Sequence, residues 1–330
     1  MAQDATDGQA PAGPPPGGTG RFPLHLVHTA ATLYYLQDAT QAQIAQRLGT
    51  SRATVSRLLR DARERGLVRI EVLPLPQHEP DELAGRLARA LGLERVRLSA
   101  EAGAAHVPEA VSPVVGEALT EAGLRPGDVL LVSSGRTVYE IARRRLPDLP
   151  GVLVAPVVGG QDEAEPWYQT NEITRRVAAA VGGVPRFLYA PAFPGRELRA
   201  SLDADPVFQR FVELWRTARC VVTGIGAPPL LRDSIPSFVP TVETALRDSV
   251  GDIATRFYDA SGREIPYDGS DRVVAVPFEA LHRIPTRIAV AHGAQKVPGI
   301  VAGARGGHFN QLITDPGTAT RVLAALQEES

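Results

Sequence analysis

From Glu94 onward the chain repeats one pattern, a short unbroken apolar run followed by a helical stretch. VLLVS (129–133), VLVAPVV (152–158), CVVTGIG (220–226) and IAVAHG (288–293) carry almost no polar alternation. A strand that is apolar on both sides must be covered on both sides, as in a parallel sheet sandwiched between helices. The pattern predicts further strands at VRLS (96–99), RFLYAP (186–191) and LIT (312–314). Helical spacing falls near 109–122, 138–146, 171–181, 206–218, 297–304 and 317–328. DASG (259–262) reads as a hairpin-type turn after IATRFY. The expected class is α/β, and no internal repeat is visible.

A different signature precedes this region. In TQAQIAQRLGTSRATVSRLLRDARER (40–65), Thr40 and Gln43 have capping-box spacing, each side chain satisfying a backbone donor of the first helical turn. Ile44, Ala45 and Leu48 share one face, and Gly49 suits a left-handed helix end. Ser51 opens a second helix whose buried stripe is Val55, Leu58, Leu59 and Ala62. That register turns Arg52, Ala53, Thr54, Ser56 and Arg57 outward near the helix start. In a helix-turn-helix this is the end that meets base edges in the major groove. Arginine binds guanine bidentately, Ser and Thr bond bases or phosphates, and the Ala methyl touches thymine. Thr40, Gln41, Ser51 and Arg60 complete the candidate DNA contacts. LVRIEV (67–72) alternates as a strand would and is read as a small wing; Leu24 to Asp38 is read as a packing helix with Leu26, Ala30, Leu33 and Tyr34 as its stripe.

Charge supports this. Seven arginines face Asp61 and Glu64 between Arg47 and Arg69, a local +5, whereas the whole chain carries −2. A polyanion would therefore sit at one place, and the near-neutral total argues against general coating of nucleic acid or anionic membrane. A solvated basic face is the ordinary reading of a charge run; the capping box, glycine turn and second amphipathic helix occurring together favour DNA. The single cysteine, Cys220, excludes an intramolecular disulfide framework and has core-like neighbours. No apolar run approaches the roughly 20 residues needed to span a bilayer, and no signal-peptide pattern opens the chain. A cytoplasmic protein of two or three domains is expected. The domains are read as a disordered Pro/Gly-rich leader (1–20), a DNA-binding domain (21–73), a proline-punctuated linker (74–80) and an effector-binding domain (81–330).

In open α/β sheets ligands bind beyond the carboxyl ends of the strands. Four such loops are rich in small and polar residues. SSGRT contains Ser133, Ser134, Gly135, Arg136 and Thr137, whose amides, hydroxyls and guanidinium suit an anion; a plain turn explains it equally well. Gly159, Gly160 and Gln161 end the next run, the glycines permitting close ligand approach, and Gly224 and Gly226 do the same further on. The fourth loop, HGAQK (292–296), ends the run at 288–293 and carries Lys296, the only lysine among 35 Lys and Arg residues. A compact ammonium is not replaced by guanidinium in a tight pocket, so Lys296 is read as a ligand contact rather than a solitary surface charge. Asp252 either accepts from ligand hydroxyls or orients its own turn. His292 and His308 are not spaced as metal ligands, and neither metal nor cofactor is expected.

Taken together the chain resembles the SorC family of bacterial transcriptional regulators over nearly all of 24–328. The carrying residues include Leu33-Tyr34-Tyr35, Ile44-Ala45, Ser51-Arg52, Thr54 to Leu59 and Ala62 to Gly66. Further on they include Gly135 to Val138, Gly159-Gly160, Gly224-Ile225-Gly226, Val250 to Ile253, Lys296, Ala304 to Gly307, Asn310 and Leu312 to Asp315. The resemblance implies a winged helix-turn-helix domain followed by an effector domain similar to the sugar-phosphate isomerase and CoA-transferase fold. It also implies assembly as a homo-oligomer, dimer or tetramer, and effectors that are sugars, polyols or their phosphates. By this resemblance Gly135 to Thr137 would hold a phosphate end and Lys296 an anionic or hydroxyl group. Ser134 stands where the family often has tryptophan, and Thr255 where a glycine is common.

The function expected is therefore a non-enzymatic transcriptional regulator that binds an operator duplex under control of a small effector. The alternative is a sugar-phosphate enzyme carrying a DNA-binding domain, since fold does not fix chemistry. It would need a placed general base, for which only Asp252 offers itself. A nucleoid protein is disfavoured by the negative net charge.

Overall fold

The computed structural model describes residues 22–68, 78–100, 107–229 and 244–328, and the chain divides into two compact units between Leu75 and Pro76. The leader, the stretch from Arg69 that would complete a wing, and the linker up to Gln77 lie outside the described residues; Leu67 and Val68 are not in a strand.

Among the described residues the first unit holds three helices, α1 (Leu24–Tyr35), α2 (Gln41–Arg47) and α3 (Arg52–Glu64). Their shared core is Val27, Ala30, Ala31, Ile44, Ala45, Val55, Leu58, Leu59 and Ala62, all buried. The stripe of α1 is rotated from the expected one: Val27 and Ala31 are buried beside Ala30, while Leu26, Leu33 and Tyr34 pack at its margin. The helix also stops at Tyr35 rather than Asp38, where Asp38 takes a positive φ of 51°. Arg65 fastens the end of α3, bonding Asp61 Oδ1 at 2.8 Å and the Phe22 carbonyl at 2.9 Å.

The second unit opens with α4 (His78–Leu91), which begins three residues earlier than the linker reading allowed. Pro80 falls in its first turn, where a missing N–H costs nothing. Next come β1 (Arg95–Leu98), α5 (Val107–Glu121), β2 (Val129–Val132), α6 (Arg136–Ile141), β3 (Leu153–Pro156), α7 (Thr170–Val181) and β4 (Val184–Pro185). The chain continues through α8 (Arg196–Ala204), α9 (Pro206–Thr217), β5 (Cys220–Gly224), β6 (Gly251–Ile253), β7 (Arg256–Tyr258) and α10 (Phe278–Leu281). It closes with β8 (Thr286–Val290), α11 (Val297–Arg305), β9 (Gln311–Thr314) and α12 (Pro316–Glu328). Seven strands form one parallel sheet in the order β1-β9-β8-β5-β2-β3-β4.

Successive strand residues feed opposite cores, as the pleat requires. Leu130, Val132, Val154, Val222, Ile288 and Ile313 pack on one side with α5, α6 and α7. Val129, Leu131, Ala155, Val221, Ala289 and Leu312 pack on the other with α4, α9, α11 and α12. Leu130 and Leu131 are both wholly buried, each worth about 1.5–3 kcal/mol of transfer free energy. Cys220 is a core residue, its thiol pushed up to about 12 by burial.

Two expectations fail. RFLYAP is not a strand: β4 ends at Pro185, and Asn171 on α7 takes the chain over, accepting from Leu188 N at 3.0 Å and donating to Leu188 O at 3.1 Å. The helix predicted at 138–146 is a short one at 136–141, and α8 was not foreseen. The turn at 259–262 is present, with Gly262 N donating to Asp259 O at 2.9 Å. A second turn precedes it, where Ala254 and Thr255 join the antiparallel β6 and β7 with φ of 52° and 63°. That left-handed pair defines a primed hairpin turn, which glycine and asparagine ordinarily occupy.

His308 belongs to this region and not to a pair with His292. It is 2% exposed, stacks on Phe278 at 3.8 Å, and lies 2.9 Å from the Gly262 carbonyl through Nε2. A carbonyl only accepts, so Nε2 carries the proton, and Nδ1 accepts from His282 Nε2 at 3.1 Å.

Candidate functional site

In the first unit the expected local chemistry is in place. Thr40 N donates to Gln43 Oε1 at 2.9 Å and Gln43 N to Thr40 Oγ1 at 3.4 Å, closing the capping box. Gly49 turns the chain with φ 61°. Ser51 caps α3 by accepting from Thr54 N at 3.1 Å, and the two hydroxyls lie 2.9 Å apart. Gln41 and Thr54 are half-buried, whereas Thr40, Arg52, Ala53, Ser56, Arg57 and Arg60 are exposed. The face left for a partner is thus Arg52, Ser56, Arg57 and Arg60, since the Ser51 and Thr54 hydroxyls serve the cap. None of these arginines forms an ion pair among the described residues.

In the second unit the chain runs outward from β2 to β3 and β4, then returns to lay β5 on the other side of β2. In open α/β sheets the ligand crevice lies at such a reversal, beyond the strand carboxyl ends. The loops after β3, β2, β5 and β8, adjacent strands in that order, are the four the sequence singled out. Ser133 sews two of them together: Gly224 N donates to its Oγ at 3.1 Å, and Oγ donates to Ser134 O at 2.8 Å. Ser134 Oγ reaches Gln161 Oε1 at 3.5 Å, tying in the loop after β3. Gly226 N donates to Asp252 O at 2.9 Å, which brings β6 alongside. Asp252, Lys296, Ser134 and Thr137 are half-buried at this rim, and Arg136 is exposed.

Gly135 adopts φ 117° and ψ 151°, a backbone only glycine tolerates, so α6 starts abruptly from β2. Its amide donates to the Trp167 carbonyl at 2.8 Å. The Arg136 guanidinium lies over the Trp167 ring, 4.7 Å from its centroid. Trp167 was missed by sequence reasoning; it lies in the 166–168 turn, more than 30 residues from β2, and only the fold brings it here. α6 is six residues long, so its dipole is weaker than the longer helix expected there would supply.

Gly159 has a different role from the one its sequence setting implied. A Cβ there would stand 2.6 Å from Ala190 O and 2.9 Å from Ala192 N, so it is the chain's own backbone, not a ligand, that approaches. Gly160 likewise pairs with that segment, N to Ala190 O at 2.8 Å and O from Ala192 N at 2.7 Å. Gly159→Ala is therefore expected to destabilise the fold by about 1–3 kcal/mol through overpacking, read as a lowered urea midpoint. An unchanged midpoint would return Gly159 to a ligand role.

Lys296 ends a single 3₁₀ turn (Ala294–Lys296) between β8 and α11, its amide bonded to Gly293 O at 3.0 Å. Beside it, burial holds the His292 imidazole below its ordinary range, with Asp315 acting against that and Lys296 with it. Three charges or dipoles thus share this corner. Among the described residues no group of three His, Cys, Asp or Glu side chains is arranged for a metal ion.

Comparison with known proteins agrees with both halves. The family described as "Putative sugar-binding domain" matches residues 76–324, and the MarR family matches residues 27–75. The deoxyribonucleoside regulator of Bacillus subtilis is 33% identical over 304 residues, 89% of this chain and 96% of that protein. The sorbitol operon regulator of Klebsiella pneumoniae is 30% identical over 312 residues, 91% and 98% of the two chains. The crystal structure of that full-length regulator, SorC, superposes with a TM-score of 0.73 at 28% identity, covering 92% of this chain and all of the other. With an exposed arginine face on a capped helix, four small-residue loops gathered along one edge of a parallel sheet, and relatives alike in both parts, the chain belongs to the SorC family of transcriptional regulators.

Proposed function

We propose that residues 21–73 bind operator DNA through Arg52, Ser56, Arg57 and Arg60, with Thr40, Gln41, Ser51, Ala53 and Thr54 supporting that face. We further propose that residues 81–330 bind a sugar, a polyol or a phosphate ester of either. The ligand lies across the Ser133 to Thr137, Gly159 to Gln161 and Gly224 to Gly226 loops, with Asp252 and Lys296 at its other end. One observation carries this reading: the strand order places those loops side by side at the sheet's reversal, in a chain whose other unit presents a cationic helix face. Two relatives are named a sorbitol operon regulator and a deoxyribonucleoside regulator, which supports a polyhydroxylated effector and regulation in place of turnover. A recognition helix of 13 residues spans only one groove segment, so two or more copies on repeated half-sites supply operator-length recognition. We propose in addition a homo-oligomer, dimer or tetramer, acting in the cytoplasm. No helix among the described residues is long and apolar enough to cross a membrane.

The test measures binding to duplex from the region upstream of the protein's own gene while polyols, pentoses, hexoses and their phosphates are added in turn. A ligand shifts the equilibrium only by its differential affinity for the two states. Lys296→Ala is expected to weaken the response to the active compound by about 10-fold or more, the loss of one charge-assisted bond, while ligand-free operator binding stays unchanged. A full response from Lys296→Ala would remove the crevice assignment.

A further inference from the structure

The loop that presents Lys296 is held from outside as well as by its own turn. Gly293, with φ 97° and ψ 152°, leads into the 3₁₀ turn, and its amide donates to Thr318 Oγ1 at 2.7 Å. Thr318 is wholly buried and lies in the first turn of α12, on the other side of β9 in sequence. Its hydroxyl donates in turn to Asp315 Oδ2, and Asp315 Oδ1 accepts from Thr318 N at 2.9 Å. One hydroxyl thus uses its proton on a carboxylate and its lone pair on the loop amide. A buried threonine that caps nothing but its own helix would need only the first of these bonds. The Ala291 amide, donating to Ile313 O at 3.1 Å, carries the β8–β9 ladder up to the point where this brace takes over.

We infer that Asp315 and Thr318 are positioning residues for the effector site, acting on the ligand through the Gly293 to Lys296 loop without touching it. The inference rests on the proposed role of Lys296. Asp315 aims the Thr318 hydroxyl, the hydroxyl holds the Gly293 amide, and the turn that follows sets where the Lys296 ammonium stands. Charge-assisted hydrogen bonding of this kind is short, directional and lost when either group is replaced by an apolar isostere. The same bond ties the loop to α12, so displacement of Lys296 by a ligand is felt by that helix.

Lys296 being the only lysine, its acylation by an amine-reactive ester, followed on its own peptide by mass spectrometry, reads the loop directly and without ligand. Thr318→Val keeps the shape and removes the hydroxyl; Thr318→Ser keeps the hydroxyl. In the full-length protein, Thr318→Val is expected to speed Lys296 acylation at least threefold at an unchanged thermal midpoint, and Thr318→Ser to retain the wild-type rate. A folded Thr318→Val with the wild-type rate overturns the inference, as does a Thr318→Ser as fast as the valine variant. Should Thr318→Val not fold, Asp315→Asn decides in the same way: it offers one acceptor oxygen where the carboxylate offers two, so the Thr318 amide and hydroxyl can no longer both be held, and the rate rises threefold or the brace is discarded. Because no ligand enters this measurement, its failure is distinct from that of Lys296→Ala, which reads the effector response.

Discussion

Replacing Arg52 and Arg57 by alanine is expected to remove most of the protein's preference for its operator. Each side chain is exposed, neither is paired among the described residues, and both rise from the first two turns of α3. An arginine bidentate to guanine is worth about 1–3 kcal/mol of discrimination, so each single variant should bind its operator roughly 5- to 150-fold more weakly and the double variant more weakly still. Arg60 stands one turn further along and is assigned to phosphate. Arg60→Ala should weaken specific and unspecific duplex alike and lower the salt slope by about one. Anisotropy titrations over a range of salt separate the two classes. Wild-type affinity and selectivity in both Arg52→Ala and Arg57→Ala would show that α3 does not read bases.

Stability is expected to fall as the solution is acidified from pH 6.5 toward 4, with His308 as the main cause. Burial, the neighbouring His282 and Arg287 together depress its imidazole to about 4, against the opposing bond to Gly262, whereas the unfolded chain protonates near the ordinary 6.5. The sign follows: the unfolded state binds the extra proton first, so the stabilisation is complete above pH 6.5 and is lost as pH falls through the folded value. The window spans about 2.5 pH units, or about 3 kcal/mol at its limit. The mechanism is visible in the bonds, because a proton on Nδ1 would face the N–H of His282 that Nδ1 now accepts. Urea midpoints at pH 7.5, 5.5 and 4.5 should decline in the wild type and decline much less in His308→Gln. Parallel declines would place the acid sensitivity elsewhere.

Where a feature depends on neighbours in sequence, it was legible. Thr40 with Gln43, Gly49, and Ser51 with the Val55 to Ala62 stripe specify two helices and a turn without outside help. The runs VLLV and CVVTG announce strands buried on both faces, and in a parallel sheet the order of elements alone puts their carboxyl-end loops on one edge. Where the outcome depends on a distant partner, reading failed. RFLYAP has strand composition, but Asn171 supplies the Leu188 hydrogen bonds that a ladder would have made. Gly159 has the look of a ligand loop because nothing local announces that Ala190 to Ala192 will pass against it. Trp167, Asp315 and Thr318 join the site only through tertiary structure. The glycine common in the family at position 255 now has a conformational reason, since Thr255 holds φ 63° there; its departure strains a turn three residues from Asp252.

The direction of α4 has a consequence for how news of a bound ligand leaves this domain. Its last residue, Leu91, is joined by three residues to the amino end of β1, against which the helix packs through Ala84 and Leu87. A 14-residue helix rises about 21 Å, so His78 is carried toward the opposite rim, where β2, β5 and β8 release their loops. The amino end of α4 therefore stands at the edge of the sheet that carries the candidate effector loops, not at the edge behind it. A rearrangement at that edge would reach the start of α4 with no slab of packed strands to cross.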